Sequence, residues 1–142
     1  MIKNTYGLIA TSLVITFFIV IQTTVSNILW LKEMGLPTPF SLFIDNSFHD
    51  LSYMGALLLP LTLIGFSCCL LTIKFSLRYF GVERGLSYAL SGFLYTSLLI
   101  FVVPLIIGGN DMISGARSEY GKIYILLIGL MGGYLFSILT KK

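Results

Sequence analysis

The sequence predicts an all-helical membrane protein, a four-helix transmembrane bundle, and three observations carry that prediction. Charged residues make up only 11% of the 142 positions while 56% are hydrophobic, against roughly 25% charged in a soluble domain. The mean hydropathy is +0.94. Four stretches, Asn4 to Leu31, Leu51 to Ile73, Gly85 to Asn110 and Ile123 to Thr140, contain no Asp, Glu, Lys or Arg over 28, 23, 26 and 18 residues. A helix of about 20 apolar residues crosses a bilayer, so each stretch is long enough for one span. The connecting segments are too short for a soluble domain. Residues 1–142 read as a single integral membrane domain with spans near 6–30, 52–73, 85–107 and 121–140.

Four spans put both tails on one side, and charge says which. The tails and the second loop carry Lys3, Lys74, Arg78, Arg84, Lys141 and Lys142, with Glu83 as their only acidic residue. The first and third loops carry Lys32, Arg117 and Lys122 against Glu33, Asp45, Asp50, Asp111 and Glu119. By the positive-inside rule both termini are expected in the cytoplasm, with the first and third loops facing the periplasm or exterior. Trp30, Tyr53 and Tyr120 fall where an outer aromatic belt would lie, Tyr6 and Tyr79 where an inner one would.

Span 1 reads as a retained signal anchor, because the uncharged run continues through Ile28, Leu29, Trp30 and Leu31, beyond a typical signal-peptide core. It turns polar at Gln22, Thr23, Thr24, Ser26 and Asn27. Such groups need partners at that depth: the hydroxyls on their own helix carbonyls and Gln22 on a neighbouring helix, or else a solvated outer cavity. Gly35-Leu36-Pro37-Thr38-Pro39 then breaks the helix. The next segment, Ser41 to Asp50, mixes Leu42, Phe43, Ile44 and Phe48 with Asp45, His49 and Asp50, and is expected to be a short interfacial helix. Span 2 contains Pro60 and span 3 contains Pro104; each removes a helical hydrogen bond and permits a kink. The two kinks either splay the outer half of the bundle into a crevice or serve packing alone. Between these spans Gly81 and Gly85 flank a tight turn, and the Gly- and Ser-rich third loop is expected to be mobile unless Arg117 ties it down.

Span 4 carries the clearest packing signal, Gly129, Gly133 and Ser137 at every fourth residue, with Gly132 beside them. Small residues let helix backbones approach in lipid. Span 3 offers a matching surface of Gly85, Ala89, Gly92 and Thr96, so the stripes either pack spans 3 and 4 together or form a homodimer face. Tyr88, Tyr95 and Tyr134 each need an acceptor for the hydroxyl within their spans.

The ligand or loop-clamp candidates are Asp45, His49, Asp50, Asp111, Arg117 and Glu119. Asp45 and His49, at i and i+4, share one helix face. Arg117 has the most acidic neighbours of the outer basic residues, and a guanidinium can clamp two carboxylates or take lipid phosphate. With a single histidine, a bis-histidine haem or multi-histidine metal site within one chain is excluded; no metal and no cofactor is expected. Cys68-Cys69 cannot act as a C-x-x-C pair and reads as packing. Scattered basic residues exclude a nucleic-acid binder.

Asp50-Leu51 before span 2, then Gly115-Ala116-Arg117, Gly121, Gly129, Gly132-Gly133 and Phe136, resemble a pattern in small, uncharacterised four-span bacterial inner-membrane proteins. The resemblance covers mainly the C-terminal third. It implies a bacterial inner-membrane location, singles out Asp50 and Arg117, and implies no reaction.

With no Asp, Glu, Lys or Arg expected inside the spans, where ion-coupled carriers place such groups, the expected function is that of a non-catalytic accessory or scaffold subunit. It would sit among membrane lipids, as a homo-oligomer or within a larger membrane complex. Two alternatives are a small oligomeric transporter or channel using the outer crevice, and an enzyme with Asp45, His49 or Asp50 as acid or base.

Overall fold

The computed structural model describes residues 2–80, 83–107 and 113–141, and all of its regular structure is helical. Four helices are long and apolar enough to cross a membrane, with spans at Asn4–Glu33, Phe40–Ile73, Arg84–Leu105 and Glu119–Leu139.

α1 (Ile2–Glu33) ends where the sequence supplies a stop. Gly35 takes a positive φ of 75°. Its N–H bonds the Lys32 carbonyl at 3.0 Å while the Leu36 N–H reaches back to Leu31 at 3.1 Å, a Schellman closure that satisfies otherwise orphaned carbonyls. Pro37 then prevents the helix from resuming.

α2 (Phe40–Phe80) is one unbroken helix of 41 residues, about 60 Å at 1.5 Å per residue. The short helix expected over residues 41–50 is therefore not a separate element but the first turns of α2. The physical reason lies in the residues at the expected break. No Gly or Pro occurs between Phe40 and Met54, and Ser52 donates its hydroxyl to the Phe48 carbonyl at 2.8 Å, following the helix through the junction. Asp50 thus sits well inside a helix and is not a cap at its start.

α3 (Arg84–Ser97) runs into a π-helical turn over Leu98–Val102 and then into α4 (Val103–Ile107). In that turn the Val103 N–H bonds the Leu98 carbonyl, five residues back. Pro104 has no N–H to offer, so the wider turn ahead of it absorbs the irregularity that a proline imposes. A short 3-10 turn, Ser114–Ala116, precedes α5 (Glu119–Leu139). Ser118 caps α5 by accepting from the Gly121 N–H at 3.0 Å, as an N-cap serine should.

The helices form an antiparallel ring in which α1 packs on α2, α2 on α3, α3 on α5, and α5 back on α1. α3 and α5 approach most closely. A Cβ on Gly92 would run into the Gly129 carbonyl, and one on Gly133 would run into the Tyr88 carbonyl and come within 2.9 Å of the Ala89 Cα. The span 3 and span 4 stripes therefore meet inside one chain. Gly85 faces Tyr134, with Ser137 Oγ 3.9 Å from where its Cβ would stand. Gly132 turns the other way, against Ile15 of α1.

The centre is filled by Ile15, Ile19, Val20, Phe66, Ile125 and their neighbours. Phe66 meets Phe136 edge-on at 5.8 Å and Tyr95 at 6.4 Å, and Tyr88 meets Phe136 at 5.2 Å. Among the described residues the buried polar side chains are all Ser and Thr. One relay crosses three helices: Thr16 donates to Thr62 at 3.2 Å, and Thr62 and the Tyr95 hydroxyl share a bond of 2.8 Å. The bare face of Gly65 leaves room for the Tyr95 ring, which a Cβ would approach to 2.7 Å.

Two predictions follow from this packing. Gly92→Leu and Gly133→Leu should each cost about 3 kcal/mol or more, the upper range for overpacking, because the added group meets backbone. A thermal melt in detergent should show a large fall for both, and little change for Gly55→Ala, whose Cβ would lie no closer than 3.5 Å to Leu51. Tyr95→Phe should lower stability by about 1 kcal/mol through the lost bond to Thr62, read on the same melt.

Candidate functional site

A polar stretch of α1, Gln22 to Asn27, lies at the end of the bundle where α1 closes, α2 starts and α5 starts. Thr23 and Thr24 are buried at 2% and 0% exposure, so their hydroxyls need protein partners. Thr24 lies 2.8 Å from Asp50 Oδ2 and 3.1 Å from the Val20 carbonyl. With one proton to give, it favours the carboxylate, the shorter and charged acceptor. This bond ties α1 to α2. The amide of Gln22 donates to Ser26 Oγ at 3.2 Å and to the Gly115 carbonyl at 3.3 Å, tying α1 to the turn before α5.

That turn is tucked into the bundle. Ile113 and Ala116 are each 4% exposed. Gly115 is bare by necessity, since a Cβ there would collide with Gln22 Oε1 and stand 3.0 Å from Thr23 Oγ1, while a Cβ on Gly121 would strike the Gly115 carbonyl. Gln22 Oε1, Thr23 Oγ1 and Ser47 Oγ are buried here with no hydrogen-bond partner among the described residues.

The six charged or titratable candidates separate in space. Asp50 is the one held within the bundle, its side chain 24% exposed. His49 is 69% exposed with Nδ1 3.8 Å from Asp50 Oδ1, and its ring lies 4.6 Å from that of Tyr53. Asp45 is exposed. Glu119 is engaged by Lys122 three residues on, at 2.7 Å. Arg117 points outward and makes no ion pair among the described residues, so neither Asp50 nor Glu119 completes the expected clamp. Asp111 lies outside the described residues. The described end of the third loop is held by neutral groups, the Gln22 amide and the buried Ile113 and Ala116. Among the described residues no three His, Cys, Asp or Glu side chains converge as a metal site would require. Cys68 is exposed, Cys69 is buried, and both are free thiols.

The partner of Asp50 was not singled out by the sequence. The adjacent Thr23 and Thr24 mark that end of α1 as polar, but nothing local says which neighbour they meet. No protein-family model matches this chain, and comparisons with curated proteins and with solved structures find no match. Chemically, the site positions one carboxylate against a buried hydroxyl and seals the mouth of the bundle with backbone.

Asp50→Ala should cost about 1.5–3 kcal/mol, the worth of a hydrogen bond to a charged group, and Thr24→Val a similar amount. Thr24→Ser should retain most of the stability. If Asp50→Ala melts with the wild type, the bond carries no structural weight.

Proposed function

We propose that this chain is a non-catalytic polytopic membrane protein, an accessory or scaffold subunit that self-associates or joins a larger membrane complex. In this reading it resides in a bacterial inner membrane with both termini in the cytoplasm. Supporting that orientation, the two terminal ends of the bundle meet: a Cβ on Gly7 of α1 would stand 2.8 Å from Thr140 beyond α5, and in the sequence the basic residues concentrate on the tails and second loop. Trp30, Tyr53 and Tyr120, at the opposite end, are all more than half exposed, as anchors in a headgroup layer would be.

The observation that carries the reading is the filled interior. Ile15, Ile19, Val20 and Phe66 are wholly buried at the centre, and the Thr16, Thr62 and Tyr95 hydroxyls bond one another. Ion-coupled carriers place ionisable groups along their path; here the buried polar residues among those described are Ser and Thr, beside the neutral Gln22 amide oxygen. A second reading, a small oligomeric transporter or channel, draws on the hydroxyls along the inner face of α1. Thr11 Oγ1, Ser12 Oγ and Thr23 Oγ1 are buried there without a partner among the described residues.

Native mass spectrometry of protein extracted mildly from its own membrane should find it in an assembly heavier than the 15.8 kDa chain, with itself or with other polypeptides. Reconstituted alone into liposomes, it should leave ion and small-solute flux at the level of empty vesicles. Flux that scales with protein content and falls in Ser12→Leu would replace the subunit reading with the transporter.

A further inference from the structure

At the tail end of the bundle the described residues leave a space between the helices. A cavity of about 290 Å³ lies there between the start of α1, the last membrane turns of α2, the start of α3 and the end of α5. Its lining is amphipathic: Leu8, Leu70 and Phe136 supply apolar walls, while Asn4, Tyr88 and Thr140 bring polar groups. The four uncharged stretches of the sequence end at Asn4, Ile73, Gly85 and Thr140 on this side. The cavity therefore straddles the level at which hydrocarbon gives way to headgroups. Its volume is at the small end for ligand pockets, which start at about 300 Å³, and fits a headgroup but not a whole lipid.

Arg84 stands beside it. One terminal nitrogen, Nη2, donates to the Thr140 carbonyl at 2.7 Å and to Thr140 Oγ1 at 3.1 Å, and the guanidinium lies 5.5 Å from the centre of the Tyr88 ring. Both contacted residues line the cavity. A guanidinium carries five N–H donors, and the other edge of this one has no acceptor among the described residues. It is a fixed cation with unspent donors, and planar donors of this kind suit phosphate. In the sequence, Lys3, Lys74 and Arg78 fall on the same tail and loop segments, with Glu83 as the acidic residue among them. Basic pockets between membrane helices at a cytoplasmic surface attract anionic headgroups.

We propose that this cavity binds the phosphate of an anionic phospholipid, with Arg84 as the phosphate ligand, the headgroup seated by Tyr88 and Asn4, and the acyl chains leaving over Leu70 and Leu71. The site is independent of whether the chain is a subunit or a transporter. It requires only that the bundle sits in a bilayer.

The test is native mass spectrometry of purified protein titrated with phosphatidylglycerol or with diacylglycerol of the same acyl chains, which has no phosphate. Wild type should retain phosphatidylglycerol roughly tenfold more tightly, the worth of one charge-assisted hydrogen bond. Arg84→Gln should abolish that preference. Because Arg84 also closes the end of α5, a second variant leaves it in place: Leu71→Trp, at a position 68% exposed on the cavity lining, should block the site. Lys141→Gln removes a nearby positive charge away from the cavity and should leave the preference intact. Equal retention of both lipids, retention unchanged in Arg84→Gln and Leu71→Trp, or a loss shared equally by Lys141→Gln would overturn the proposal. Millimolar inorganic phosphate should not displace the lipid; displacement would reassign the site to a free phosphate-bearing solute.

Discussion

A side chain at Gly92, Gly129 or Gly133 would run into the facing helix, so α3 and α5 meet only while those positions stay bare. In lipid, no hydrophobic force drives two apolar helices together, and close van der Waals contact has to hold them. The contact also settles what stands beside it. Thr96 packs where Gly129 leaves space, its hydroxyl turned back onto the Gly92 and Phe93 carbonyls at 3.1 Å. Tyr88 lies past Gly133 against Phe136, and Phe136 meets Phe66 of α2. The aromatic cluster that joins α2 to the α3–α5 pair is thus built on the small residues behind it.

The same solvent that removes the hydrophobic drive also forbids loose polar ends. Each end of the ring is closed by a side chain reaching a distant carbonyl or carboxylate. At the tail end Arg84 bonds the carbonyl and hydroxyl of Thr140, the cap of α5, where the helix dipole favours a cation. At the loop end Gln22 reaches the Gly115 carbonyl and Thr24 reaches Asp50. All three bonds join segments far apart in sequence, and two of them start from α1. That helix is the piece whose removal would open the ring, since it touches α2, α5 and the turn before α5.

Composition made the helical class and the four apolar helices legible, because a membrane span announces itself by the absence of charge. The glycine spacing on span 4 made a close helix contact legible, although only the fold shows that span 3 of the same chain receives it. One feature was misread because sequence reasoning gives charged residues more structural weight than they have. Asp45, His49 and Asp50 suggested a separate interfacial segment. A helix tolerates such residues wherever they face water or meet a partner, and α2 continues through all three, with Asp45 and His49 exposed and Asp50 bonded to Thr24. In the third loop one tie is an amide on a backbone carbonyl, Gln22 on Gly115. A carbonyl is present at every residue and so leaves no mark in the sequence. The π-helical turn was equally invisible, since Pro104 signals an irregularity but not which way the preceding turn will yield.

The two ends therefore differ in what they can still offer. At the loop end the third loop folds inward, Ile113 and Ala116 fill the mouth, and the one carboxylate held in the bundle already has its hydroxyl. Whatever docks there meets exposed side chains such as His49, Tyr53 and Arg117 and not an open interior. At the tail end no described segment folds over the bundle to fill the cavity. A guanidinium fixed on one edge and unspent on the other stands beside a cavity with apolar walls. A molecule with a charged head and an apolar body has its two halves matched there by two kinds of surface already in place. The rigidity that Thr140 and Tyr88 confer on Arg84 lowers the ordering cost of binding it.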